Sequence, residues 1–139
     1  MIISRSFIFD TMVINKSIEM DDGETFTIFR HVIVKGRSEP EAYFLVRFKP
    51  KSMSIKANIK FSLLPMMIFM GFKGFRSKYW TVDYKSGLCQ GLYEWQTVKD
   101  AENYSKSIAM KFMIRRSELD SIMFKVIDKA NGKLEYWIT

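Results

Sequence analysis

Gly74-Phe75-Arg76-Ser77-Lys78-Tyr79-Trp80-Thr81-Val82-Asp83-Tyr84-Lys85-Ser86-Gly87-Leu88-Cys89-Gln90-Gly91-Leu92-Tyr93-Glu94-Trp95 is the stretch whose reading decides the fold. It holds two of the three tryptophans and reads as two strands joined by a short polar loop. With Tyr84-Lys85-Ser86-Gly87 as the loop, Asp83 faces Leu88. Register then pairs Val82 with Cys89, Trp80 with Gly91, Lys78 with Tyr93 and Arg76 with Trp95. Gly91 has no side chain, which leaves room for the indole of Trp80. One face therefore carries Arg76, Lys78, Trp80, Val82, Cys89, Tyr93 and Trp95. The other carries Ser77, Tyr79, Thr81, Gln90, Leu92 and Glu94.

Downstream, Thr97 is a good N-cap, with Asp100 at the third helical position and Glu102 in the first turns. Val98, Ala101, Tyr104, Ile108 and Phe112 recur at spacings of three and four, which predicts one amphipathic helix ending near Lys111, Arg115 and Arg116. Ser121 to Ile127 (SIMFKVI) then reads as a strand. Asn131-Gly132 reads as a primed hairpin turn and Leu134 to Ile138 (LEYWI) as a closing strand.

Upstream, Thr25 to Val34 (TFTIFRHVIV) and Ala42 to Lys49 (AYFLVRFK) have strand composition and flank the six-residue loop GRSEPE, so they predict a hairpin. Ser6 to Ile14 has strand character, and Met20-Asp21-Asp22-Gly23-Glu24 is a turn signal. Residues 1–24 read as an N-terminal arm packed on the domain or on a partner subunit.

The segment 52–70 fits two periods. Met53, Ile55, Ala57, Ile59, Phe61 and Leu63 alternate as a strand would, while Ile55, Ile59 and Leu63 also recur every four residues behind the capping Ser52. Topology favours helix: strand, helix, strand, strand, helix, strand is the split pattern of ferredoxin-like folds, and its first crossover needs a helix there. The expected fold is thus α+β. It is a ferredoxin-like βαββαβ antiparallel sheet with two helices on one face, extra N- and C-terminal strands, and a single domain over 1–139.

The totals set outer bounds. A chain of 139 residues that is 47% hydrophobic and 27% charged suits one globular domain, and ten methionines suit a deformable core or cavity. The single cysteine, Cys89, excludes an internal disulfide and a Cys-rich zinc site, and suits a cytoplasmic location. Met1 to Lys16 is interrupted by Arg5, Ser6 and Asp10 and does not read as a secretory signal. Phe61 to Phe72, the longest apolar run, is far below the ~20 residues of a spanning helix, so no membrane partner is expected. The formal charge of +7 comes from scattered lysines and arginines rather than an arginine-rich arm, which argues against a nucleic-acid partner.

A face of tryptophan, tyrosine, valine and two cations is too apolar to stay in water. In a ferredoxin-like fold the sheet face opposite the helices is open. Two such sheets facing each other in a homodimer would enclose a chamber with aromatic walls, or these aromatics simply fill the core of a dimer or monomer. Arg76, Lys78, Trp80, Tyr93 and Trp95 are then the candidate ligand-binding residues. The run Gly74 to Asp83, followed by Gly91-Leu92-Tyr93-Glu94-Trp95 and the Val98/Ala101/Tyr104 helix, resembles the dimeric α+β barrel superfamily. Within it the likeness is to the small antibiotic-biosynthesis-monooxygenase-like branch of largely uncharacterised proteins. The likeness covers Ala42 to Ile127, is strongest over 74–104, and has no counterpart for 1–24. It implies a homodimer with a ligand chamber, and activity only loosely, because the superfamily spans oxygenases, haem-degrading enzymes, isomerases and proteins of unknown role.

Haem degradation in that superfamily needs a histidine on a helix, and the one histidine, His31, falls in a strand before the core. Metal ligation is not expected either, with one His, one Cys and no carboxylate at ligand spacing. Cys89 reads as an inert buried thiol. Three functions stay open. The first is a cofactor-independent monooxygenase-like enzyme in which Arg76 or Lys78 stabilises an enolate or phenolate while Trp80, Tyr93 and Trp95 orient the ring. The second is a non-catalytic small-ligand-binding or assembly module. The third is an RNA-binding domain of the same strand order, whose aromatic motif Lys73-Gly74-Phe75 begins and Arg76-Ser77-Lys78 breaks. No residue identifies itself as catalytic.

Overall fold

The computed structural model describes residues 7–36, 38–51 and 72–139. The helix expected over 52–70 lies outside them. Among the described residues there are eight strands: β1 (Phe7–Phe9), β2 (Ser17–Met20), β3 (Thr25–Val34), β4 (Ala42–Phe48), β5 (Phe75–Val82), β6 (Cys89–Trp95), β7 (Met123–Asp128) and β8 (Tyr136–Ile138). Two helices, α1 (Val98–Ser105) and α2 (Ile108–Arg115), and a single 3-10 turn at Leu119–Ser121 lie between β6 and β7.

The strands form one antiparallel sheet in the order β7-β4-β6-β5-β3-β2-β8, with β1 also on β3. Its first four members are the ferredoxin-like core. Because β4 and β5 both run antiparallel to the β6 between them, they are parallel to each other, as the split pattern requires. The fold is therefore α+β and ferredoxin-like, with the sheet extended at one side.

The central hairpin takes the expected register over most of its length. Val82 faces Cys89, Trp80 faces Gly91 and Lys78 faces Tyr93, and the Asp83 amide donates to the Leu88 carbonyl at 2.8 Å. Gly87, at φ +80°, closes the loop in a conformation that side chains resist. At the far end the register changes. A bulge puts Phe75, not Arg76, opposite Trp95, and Arg76 leaves the shared face. A second bulge, in β3, separates the pairs Ile28–Thr81 and Arg30–Trp80 and so brings Arg30 beside the indole. One extra residue flips every side chain beyond it, which is how bulges re-aim side chains near sites.

Three other expectations are corrected. The strands 25–34 and 42–49 are not a hairpin: β3 pairs with β5, while β4 pairs with β6 and β7. Instead β4 lies inside the sheet between β6 and β7, with five of its seven residues buried. Asn131-Gly132 does not make a primed hairpin, since neither residue has positive φ, and β8 crosses to pair with β2. The single helix over 97–116 is two. Thr97 caps α1 and Ser107 caps α2 by accepting from the Met110 amide, so the chain restarts at Ser107. The restart rotates the apolar face: Met110 is buried, whereas Ile108 is 85% exposed.

Both faces of the central hairpin are covered within one chain. On one side Val32, Phe44, Val46, Phe75, Trp80, Tyr93 and Trp95 pack with Ala101 and Tyr104 of α1 and Met110 of α2. The aromatic face is thus the helix-covered core and not an open surface awaiting a second sheet. On the other side the extended sheet curls over itself, so that Ile18, Met20, Phe26, Ile28 and Leu134 close over Leu45 and Leu92. Tyr136 of β8 reaches across this interior to meet Tyr43 and Tyr79 edge-on, at 6.4 and 6.3 Å between ring centres. The N-terminal arm contributes β1 and β2 to this same sheet.

Candidate functional site

Lys78 of β5 sits under the helices and is 5% exposed. Its amine donates to Tyr93 Oη at 2.6 Å, and Tyr93 Oη lies 3.0 Å from Tyr104 Oη on α1. The amine also lies over the rings of Trp80 and Tyr93, 4.4 and 4.3 Å from their centres. Burial pushes the Lys78 amine well below the ordinary lysine range, and the Arg30 guanidinium nearby pushes in the same direction. Burial drives the Tyr93 and Tyr104 hydroxyls the other way, well above the ordinary phenol range. The result is an amine held toward its neutral, basic form, in line with two phenols held protonated.

The walls are aromatic. Trp95 stacks on Tyr104 with ring centres 5.0 Å apart and on Tyr93 at 6.1 Å, while Phe44 packs edge-on to both tyrosines. Gly91 creates the space. A Cβ there would lie 2.9 Å from Tyr93 Cε1 and 3.2 Å from Lys78 Cε, so the missing side chain makes room for these two groups rather than for the Trp80 indole. Trp95 Nε1 is buried with no acceptor among the described residues, a state that costs about 1–3 kcal/mol unless something accepts the proton.

Of the five residues singled out from the sequence, the fold gathers Lys78, Trp80, Tyr93 and Trp95 in one cluster. Arg76 is elsewhere. Its Nε donates to the Val34 carbonyl at 3.0 Å and its Nη1 to Gln96 Oε1 at 2.8 Å and to the Ser38 carbonyl, tying the β3–β4 connection to the end of β6. Its place as second cation is taken by Arg30, whose Cζ lies 5.4 Å from the Trp80 ring centre. Arg30 was invisible as a site residue because nothing in TFTIFRHVIV announces the bulge. Tyr104 did carry a signal, its place on the apolar stripe of the helix, but that stripe reads equally well as plain core.

A groove of about 580 Å³ opens at the start of α1, with Phe72, Lys73, Gln96, Thr97, Lys99, Asp100 and Asn103 in its walls. Lys78 does not line it. Phe72 connects the two regions: it faces the groove and also packs edge-on to Tyr104 and Trp95, with ring centres 5.3 and 6.5 Å away.

His31 lies on the opposite side of the sheet, where Nδ1 donates to Asp10 Oδ2 at 2.9 Å and the ring stacks on Tyr79 with centres 3.8 Å apart. Burial lowers its affinity for a proton despite the carboxylate. Cys89 is buried. Among the described residues no three His, Cys, Asp or Glu side chains converge as a metal site would require. No helix of the described residues is long and apolar enough to cross a membrane.

Known structures share this architecture. An uncharacterised ferredoxin-fold protein from Listeria monocytogenes, related to antibiotic biosynthesis monooxygenases, superposes with a TM-score of 0.59 at 9% identity, over 75% of this chain and 63% of its own. A Fusobacterium nucleatum protein provisionally assigned as a monooxygenase gives 0.55 at 12% identity, over 82% and 52%. A staphylococcal protein described as a major regulator of pathogenesis gives 0.56 at 12% identity, over 92% and 87%. The chain spans less than two thirds of the first two structures. At these identities the likeness shows the fold alone, and that fold is ferredoxin-like. No protein-family model and no curated protein matches the chain.

Proposed function

We propose that the protein is a monooxygenase-like α+β barrel enzyme that needs no cofactor and takes a small hydrophobic or aromatic anion, with Lys78 as its base. The observation that carries this reading is the donor-rich interior. The buried N–H of Trp95, with no acceptor among the described residues, shares one aromatic cluster with the Lys78 amine and the Tyr93–Tyr104 hydroxyl pair. Such a set suits a ligand that brings oxygen acceptors and a flat apolar body. A neutral amine can take a proton from an acidic ring C–H, and the buried donors can hold the enolate oxygen that results. The carbanion then meets dioxygen. One oxygen atom enters as a carbonyl and the other leaves as water, so that a CH2 group and O2 give C=O and H2O. The groove behind Phe72 is the access route in this proposal.

The closed packing of Lys78, Tyr93 and Trp95 favours a second reading, a module that binds without turnover. An RNA platform of stacked bases is the least supported, because it needs open aromatics and Trp80, Tyr93 and Trp95 lie beneath the helices. The homodimer now rests on the family resemblance alone. Since the Trp80 face is covered within one chain, a second copy would have to meet the molecule elsewhere.

Indane-1,3-dione, a small aromatic ring whose CH2 between two carbonyls gives up a proton readily to form an enolate, tests both readings through tryptophan fluorescence and oxygen uptake. Saturable quenching is expected, weakened about tenfold by Trp95→Phe and by Lys78→Met, each the loss of one hydrogen bond to a charged acceptor. Oxygen uptake of one equivalent per turnover marks the enzyme, and quenching without uptake marks the binding module. Affinity that neither substitution changes would place the site elsewhere.

A further inference from the structure

The sequence of α2, Ile-Ala-Met-Lys-Phe-Met-Ile-Arg, is apolar on nearly every side. A helix of that kind is ordinarily buried all round. Here only one side is. Met110 is 1% exposed, and Ala109, Met113 and Ile114 pack against the same core. The opposite side, made by Ile108, Lys111, Phe112 and Arg115 at spacings of three, four and seven, faces outward. Ile108 is 85% and Phe112 42% exposed.

The charges on that side decide what could cover it. Lys111 and Arg115 are both exposed and alternate with the two apolar residues. A second copy of this chain docking by the same patch would bring like charges together at its centre. A nucleic acid would meet the two cations but gain little from Ile108 and Phe112. An anionic lipid surface satisfies both halves of the pattern: aliphatic and aromatic tips enter the headgroup boundary while lysine and arginine extend to the phosphates.

We propose that the outer side of α2 is a peripheral membrane contact for anionic bilayers. This is a surface contact and not a span. It is also independent of the proposed chemistry beneath the opposite side of the same helix pair. Leu119 is excluded from the contact, although it is 73% exposed, because the exposed carboxylates of Glu118 and Asp120 flank it.

The test is co-sedimentation of the full chain with vesicles of phosphatidylcholine alone and of phosphatidylcholine mixed with phosphatidylserine. Sedimentation is expected only with the anionic vesicles, with a decline as salt rises. The pairs Ile108→Ser with Phe112→Ser, and Lys111→Glu with Arg115→Glu, should each reduce partitioning about tenfold. These side chains are exposed, so both variants should melt with the parent protein. As an independent readout, Ile108→Trp should be quenched by brominated anionic lipid. Absence of sedimentation, retention of binding by either pair, or an unquenched tryptophan overturns the proposal. Salt-sensitive binding to a DNA oligonucleotide with no vesicle binding would assign the surface to nucleic acid instead.

Discussion

Gly91→Ala tests the packing around Lys78 and Tyr93 with the smallest change available. The new Cβ would stand 2.9 Å from Tyr93 Cε1, 3.2 Å from Lys78 Cε and 3.3 Å from Val46 Cγ1, where comfortable carbon contacts need about 3.5–4.0 Å. Tyr93 cannot move aside freely, being 1% exposed and enclosed by Phe44, Phe75, Trp95 and Tyr104. Displacing its ring by half an ångström would stretch both the 2.6 Å bond from Lys78 and the 3.0 Å contact with Tyr104. Overpacking of this kind costs about 1–3 kcal/mol, and replacing glycine returns ~0.4–1 kcal/mol by restricting the unfolded chain. The net loss should be about 1–2 kcal/mol. At ~2.1 cal/mol/K per residue, a chain of 139 residues has an unfolding entropy of roughly 0.3 kcal/mol/K, so Tm should fall by about 3–7 °C. Calorimetry or circular dichroism reads this directly. Gly132→Ala is the milder comparison: it is exposed, at ordinary φ, and its Cβ would meet Ile127 Cγ2 at 3.2 Å, a half-buried side chain at the surface that can yield by a few tenths of an ångström, so its shift should be smaller than that of Gly91→Ala. A Gly91→Ala protein that melts at or above the parent temperature would falsify this account of the cluster.

Lys78→Met should flatten the pH dependence of stability in alkali. The native amine is held below its unfolded value of 10.5, so the unfolded chain binds more protons and parent stability rises with pH between those two values. Urea midpoints that climb equally in parent and variant would contradict this. His31 gives the same sign in acid: its native affinity for protons is lowered by burial, so the native state loses stability as pH falls below the unfolded value of 6.5. Hydrogen exchange should show β1 loosening first, as Asp10 ties it to His31, and uniform loosening would argue against that clasp. Arg76→Ala should leave indane-1,3-dione affinity unchanged while proteolysis near Ser38 accelerates, and a tenfold loss of affinity would return Arg76 to the site.

The hairpin was legible because its signals agree: a polar Tyr-Lys-Ser-Gly loop, alternation on both strands, and a glycine opposite a bulky residue. What was illegible had physical causes too. A bulge is one extra residue in a ladder and leaves no mark in composition, yet two of them decided which arginine joins Lys78. The break at Ser107 was masked by apolar residues that satisfy two helical faces, Ile108 and Phe112 on one, Met110 and Ile114 on the other. Pairing β3 with β5, and β8 with β2, depends on long-range burial that local turn chemistry at Gly36–Glu41 and Asn131-Gly132 cannot reveal.

The covering of the aromatic face changes what Lys78 means. On an open face a lysine beside Trp80 could extend to water at little cost. Under the helices its charged form is opposed by burial and by Arg30, while methionine could fill the same volume without a polar atom. The amine nevertheless has partners there: it donates to Tyr93 Oη at 2.6 Å and lies over the rings of Trp80 and Tyr93. The balance between the cost of burial and these contacts decides the role of the amine, because a basic group shielded from water is also what proton transfer in a dry interior uses. If Lys78→Met melts higher than the parent but loses oxygen uptake, the amine serves chemistry; if it melts higher and keeps both binding and uptake, the site lies outside this cluster.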